Sequence, residues 1–193
     1  MAKIAVLGSG GFGISLAVMA DVHNHDVTVW SAFADEIEML KKEREHKNLL
    51  PGVKIRESIN LITDISGISD CDIVIFAIPS SFVRKIAVMA APFVNKKAVV
   101  VNAGKGLEDD TFKRLSEVLS EELPDNKIVS ISGPSHAEEV ALGYPTTVTV
   151  ASLDRDAMYY IQDELSNESF RIYACDDIIG VEMMYRAWSC AAL

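Results

Sequence analysis

An apolar run, a patterned set of glycines and a helical run stand within the first thirty residues, and they constrain the fold most. Lys3-Ile-Ala-Val-Leu7 reads as a strand. Gly8-Ser9-Gly10-Gly11-Phe12-Gly13 follows, then a helical run to about Val22, then a second strand at Val27-Thr-Val-Trp30. A Gly-x-Gly-x-x-Gly spacing alone is weak evidence. Between a strand and a helix, in a βαβ unit of about thirty residues, it is a dinucleotide fingerprint. Gly8 permits the tight turn, Gly10 lets a pyrophosphate approach the backbone, and Gly13 lets helix and strand pack closely. The helix N-terminus then offers amide groups and a partial positive charge to phosphates.

Other apolar, largely β-branched runs recur at 73–77, 98–101, 128–131, 146–151 and 170–173. Ile73-Val-Ile-Phe-Ala77 and Ala98-Val-Val-Val101 are apolar throughout, as strands covered on both faces are. Alternation of such strands with helical stretches predicts an α/β fold with a doubly wound, mostly parallel sheet. The polar segment Lys41–Leu61 reads as a helix tail and a surface excursion, with His23 and His25 solvated in an earlier turn.

Composition narrows the function classes. The 193 residues carry a formal net charge of −10, which argues against nucleic acid or an anionic membrane surface as partner. No apolar run reaches the length of a membrane span, about 18 residues or more. The N-terminus enters the first strand directly, so no signal peptide is expected. Cys71, Cys175 and Cys190 have no metal-ligand spacing and fit a reducing, cytoplasmic setting.

Ligands of such sheets bind beyond the carboxyl ends of the strands. Four of these ends carry unusual residues: the glycine turn, Ile78-Pro79-Ser80-Ser81, Asn102-Ala-Gly-Lys-Gly106 and Ser132-Gly-Pro-Ser-His-Ala137. Ser80 is a candidate N-cap for the following helix. Lys105, between two glycines, is a candidate anion contact, and Gly133 and Ser135 offer an amide and a hydroxyl toward the same crevice.

These blocks resemble, in order, the N-terminal half of the bacterial-type NAD(P)-dependent glycerol-3-phosphate dehydrogenases. The matching stretches include Gly8–Gly13, Leu49-Leu-Pro-Gly52, Ala77-Ile-Pro-Ser80, Gly104-Lys-Gly-Leu-Glu108, Ser132–Glu138, Phe170-Arg-Ile-Tyr173 and Gly180-Val-Glu182. The resemblance implies a Rossmann-like domain over residues 1–175 and the start of an interdomain helix over 176–193, with the helical second domain largely absent. It implies NAD or NADP as cofactor and reversible reduction of dihydroxyacetone phosphate, a small phosphorylated substrate, to sn-glycerol 3-phosphate. By this resemblance Gly8, Gly10, Gly11, Phe12, Gly13, Lys105 and Ala137 are cofactor positions. Lys105, Gly133 and Ser135 are substrate positions.

Two departures stand out. After Gly180-Val-Glu182 the resemblance implies a Leu-Lys-Asn whose lysine is the acid/base. Counting from Gly180, that position holds Trp188 and the next holds Ser189. Indole cannot replace an ammonium as proton donor. No catalytic residue is therefore assigned, and a non-catalytic NAD(P)-binding module stands as the alternative. The apolar tail, Ala187-Trp-Ser-Cys-Ala-Ala-Leu193, calls for cover, either by self-association or by packing back on the sheet domain. The second departure is Trp30-Ser31-Ala32-Phe33, which has neither the acidic residue of NAD sites nor the arginine of NADP sites at the end of strand 2. The choice between the two stays open.

Overall fold

A computed structural model describes residues 1–183. One eight-stranded sheet runs through it. Its strands are β1 (Lys3–Leu7), β2 (Asp26–Trp30), β3 (Asn60–Ile62), β4 (Ile73–Phe76), β5 (Val99–Asn102), β6 (Lys127–Ser132), β7 (Thr146–Ala151) and β8 (Phe170–Cys175). The α-helices lying wholly within the described residues are α1 (Gly11–Val22), α2 (Ala34–Glu43), α3 (Ser80–Ala90), α4 (Leu115–Glu122), α5 (Ala137–Ala141) and α6 (Arg155–Leu165), and residues 178–183 are helical as well. Strand order is β3-β2-β1-β4-β5-β6-β7-β8. Every pairing is parallel except β6 with β7. This is the doubly wound, Rossmann-like architecture the alternating pattern predicts.

The continuously apolar strands feed two cores. Ile4 and Val6 of β1 pack on one face with Ile73 and Ile75 of β4 and with α1 and α6. Ala5 and Leu7 turn to the other face with Val74 and Phe76, under α3 and α4. Period-two alternation thus operates inside runs that show no polar residue, because helices cover both faces. Strand order reverses between β1 and β4, so the chain leaves β1 and β4 in opposite directions and opens a crevice beyond Leu7 and Phe76.

Three expectations need correction. The 41–61 segment is no mere surface excursion: His46, Leu50, Val53, Ile55 and Ile59 are buried, and Asn60–Ile62 adds an edge strand beside β2. Arg44, at φ 48°, ends α2 and turns the chain back toward the core. His25 is not solvated. Its Nδ1 accepts from the Ala2 amide at 3.1 Å and its Nε2 donates to the Glu164 carbonyl at 2.9 Å. Ser80 is the first residue of α3 rather than its cap, a place taken by extended Pro79. His23 is exposed, as expected.

Candidate functional site

The glycine turn is held by backbone contacts that leave no room for side chains. A Cβ on Gly8, at φ +121°, would lie 2.4 Å from the Ala77 carbonyl oxygen, and one on Gly13 would lie 2.1 Å from that of Gly8. Gly10 differs: a Cβ there would meet nothing within 4 Å. The N-terminus of α1 has no side-chain cap and no acidic residue in its first turn. Its first amides thus meet no side-chain acceptor, and the open space at Gly10 fits a pyrophosphate. Gly11 packs under the Leu49 carbonyl, and a Cβ on it would come within 3.7 Å of that of Ala137.

Across the crevice, Phe12, Ala103, Gly104, Lys105, Ile131, Ser132, Gly133, Ser135 and Val148 line one cleft. The Lys105 ammonium stands 5.5 Å from the Phe12 ring centroid, a cation–π distance. The structure so brings Phe12, Lys105, Gly133 and Ser135 together, with Gly8, Gly10, Gly11, Gly13 and Ala137 at the adjoining turn and start of α5. Trp188 and the apolar tail lie outside the described residues. Among the described residues no cluster could hold a metal, and no helix is long and apolar enough to cross a membrane.

Two arginine–glutamate systems stand behind Lys105. Arg84 of α3 grips Glu108 through two nitrogens, at 2.6 and 2.8 Å, and also bonds Glu121 and Glu122 of α4. The Arg84 bonds, then the Thr111 hydroxyl, hold the Glu108 carboxyl down to about 2. The Glu182 side chain is 5% exposed and accepts from the Ser116 hydroxyl at 2.6 Å, the Ser116 amide and Arg114 at 3.0 Å, and Asn102 at 3.4 Å. Asn102 Oδ1 in turn accepts from the Gly104 amide at 3.0 Å, beside Lys105. Sequence reasoning took Glu182 only as part of a matching block. Its partners come from β5 and the start of α4, more than sixty residues away, and nothing local announces them.

A third polar cluster was also missed. Glu36, in the first turn of α2, reaches back to Ser9 of the glycine turn, to Ser31 beyond β2 and to His46. Burial opposes its ionisation, but the bonds from Ser9, His46 and Ser31 outweigh that and hold the carboxyl below its usual range. Acidic residues at a helix start were the available signal.

The chain matches, over residues 3–158, the family described as NAD-dependent glycerol-3-phosphate dehydrogenase N-terminus. It belongs to that family. Glycerol-3-phosphate dehydrogenase (NAD(P)+) of Bacillus subtilis is 43% identical over 187 residues, covering 95% of this chain and 54% of that protein. A second such enzyme from Lactobacillus delbrueckii subsp. bulgaricus is 43% identical over 190 residues, covering 95% and 56%. The crystal structure of glycerol-3-phosphate dehydrogenase from Coxiella burnetii superposes with a TM-score of 0.90 at 29% identity, covering 95% of this chain and 57% of that one. The chain thus spans about half the length of the family members it matches. What it shares with them is the N-terminal, sheet-bearing part of an oxidoreductase.

Proposed function

We propose that this chain is the cofactor-binding half of an enzyme that reduces dihydroxyacetone phosphate to sn-glycerol 3-phosphate with NADH or NADPH. The observation that carries the reading is the convergence of Phe12, Lys105, Gly133 and Ser135 on one cleft beside an uncapped helix N-terminus. In it Gly8, Gly10, Gly11 and Gly13 shape the pyrophosphate cradle, and Phe12, Lys105 and Ala137 flank the cofactor. Lys105, Gly133 and Ser135 hold the phosphorylated substrate, the lysine by charge and the other two by hydrogen bonds. The nicotinamide, when bound, supplies the hydride. Glu182 and Asn102 orient the Gly104–Lys105 backbone from beneath.

Residues 1–175 then form the dinucleotide-binding domain and 176–193 begin an interdomain helix. The use of its three cysteines fits a reducing, cytoplasmic setting. The apolar tail finds cover by self-association or by packing back on the sheet domain, and sedimentation of the chain over a range of concentrations distinguishes the two. Calorimetric titration with NADH and NADPH tests the central claim. Binding of at least one supports it, and no binding of either at millimolar concentration rejects it.

Trp188, at the family's lysine position, favours a second reading: a non-catalytic NAD(P)-binding module. This predicts nucleotide binding without turnover. Oxidation of NADH or NADPH by dihydroxyacetone phosphate in the purified chain excludes it.

A further inference from the structure

The Glu36 cluster lies at the carboxyl ends of β1 and β2, apart from the Lys105 cleft, and the function proposed above does not use it. Ser9, Ser31 and His46 are buried and all aim donors at one carboxylate. The Ser9 and Ser31 hydroxyls donate to Oε2, the latter at 3.1 Å, and His46 Nε2 donates to Oε1 at 3.2 Å. The Leu49 amide donates to His46 Nδ1 at 3.3 Å, which leaves Nε2 as the protonated nitrogen. The carboxylate is thereby tied to the glycine turn, to the end of β2 and to the loop over Gly11. Its side chain keeps 25% exposure. An ionised carboxylate has room for about four donors, so three leave capacity for one more.

The surroundings are built for a hydroxyl and against a phosphate. The N-terminus of α2 would attract an anion, but Asp35 and Glu36 occupy its first turn. Arg44, the first arginine after β2, is engaged elsewhere: it donates to the carbonyls of Arg56 and Ile59 and pairs with Glu57. Lys41 and Lys42 lie in the last turn of α2. In sheets of this kind the end of the second strand meets the adenosine ribose of a dinucleotide. Here the turn after the strand offers Ser31-Ala32-Phe33, and the acid arrives from the next helix.

We infer that Glu36 determines dinucleotide specificity in this chain: its carboxylate accepts the ribose 2′-hydroxyl and repels a 2′-phosphate, so NADH binds in preference to NADPH. This rests on the dinucleotide reading of the site. The test is calorimetric titration of the full 193-residue chain with NADH and with NADPH, for the unmodified protein, Glu36→Gln and Glu38→Gln. NADH should bind at least about tenfold tighter to the unmodified chain. Glu36→Gln should narrow the gap to within about threefold, chiefly by tightening NADPH. Glu38→Gln, an exposed neighbour on the same helix, should leave it unchanged. Equal affinities in the unmodified chain overturn the inference while leaving the dinucleotide reading intact, and so does a gap that survives Glu36→Gln. If neither nucleotide binds, both fall. Should Glu36→Gln not fold, titration of the unmodified chain with NADH and with NADH lacking the adenosine 2′-hydroxyl takes its place: a loss of about tenfold on removing the hydroxyl supports the inference and equal affinity overturns it.

Discussion

The two ends of the crevice handle charge in opposite ways. Where β1 and β2 finish, Glu36 is held by two hydroxyls and an imidazole. Where β5 and β6 finish, the carboxylates Glu108 and Glu182 are each matched by an arginine, Arg84 and Arg114, and Lys105 stands exposed at the rim. The first end thus presents a carboxylate to a ligand and the second an ammonium. A chain with a net charge of −10 can still hold an anion where a cation and backbone amides meet locally. Between the ends lies the glycine turn, which carries no ionisable side chain and whose glycines work by backbone shape.

The turn should give the largest effect. A Cβ on Gly13 would sit 2.1 Å from the Gly8 carbonyl oxygen, and neither backbone can yield without parting β1 from α1. Gly13→Ala is expected to cost more than about 4 kcal/mol, enough to unfold a domain of ordinary stability. Gly10→Ala, which meets nothing within 4 Å, should melt like the parent and lose nucleotide affinity. Urea unfolding of the two variants side by side is the check. If both lose stability equally, space at Gly10 is not what the geometry says.

The buried acid at the Lys105 end comes next. Glu182→Ala leaves Ser116 and part of Arg114 without an acceptor and Asn102 with only its long bond to the Gly104 carbonyl, at a cost of about 3 kcal/mol. Arg114 keeps Glu117, which moderates the loss. Chemical denaturation measures it, and a change under about 0.5 kcal/mol, the size of an ordinary surface substitution, would mean the cluster is ornamental. Lys105→Ala should leave stability alone and weaken the affinity for a phosphorylated ligand by about 2 kcal/mol, some thirtyfold. Competition titration with dihydroxyacetone phosphate in the presence of the bound nucleotide reads this. Unchanged affinity would remove Lys105 from the site.

How much of this was legible beforehand follows from the distance over which each feature is set. The strand, glycines and helix of residues 3–22 are local, so spacing and periodicity reveal them. The apolar runs at 73–77 and 98–101 announce a two-sided core by lacking alternation. Asn60–Ile62 is only three residues in a polar stretch, and it becomes a strand because β2 offers an edge. His25 is buried by α6, about 140 residues on in the chain, so its own polar neighbours mislead. Glu36 acts at the end of β2 through the course of the chain between β2 and α2, and a search for an acid on the strand itself passes over it. Glu182 is the same case at the other end of the crevice. The parts that charge the site are therefore the parts that tertiary packing sets.

The smallest expected effect concerns the loop that carries Lys105. Glu108 ties this loop to α3 through Arg84, whose hydrogen bonds, followed by that of Thr111, lower its carboxyl from 4.5 to about 2. A depressed acid stabilises the fold above its unfolded pKa and loses that contribution as pH falls through the folded one. The Arg84–Glu108 contribution should therefore be complete above about pH 4.5 and disappear toward pH 2. Arg84 is about one-third exposed, so solvent screening limits the contribution to under about 1 kcal/mol. Glu108→Gln lacks the titrating group. The difference in unfolding free energy between the parent and this variant should shrink steadily as pH drops across that window. A difference that stays constant from neutrality to pH 2 would show that the pair is screened out, and that the loop of Lys105 is positioned by Asn102 and Glu182 alone.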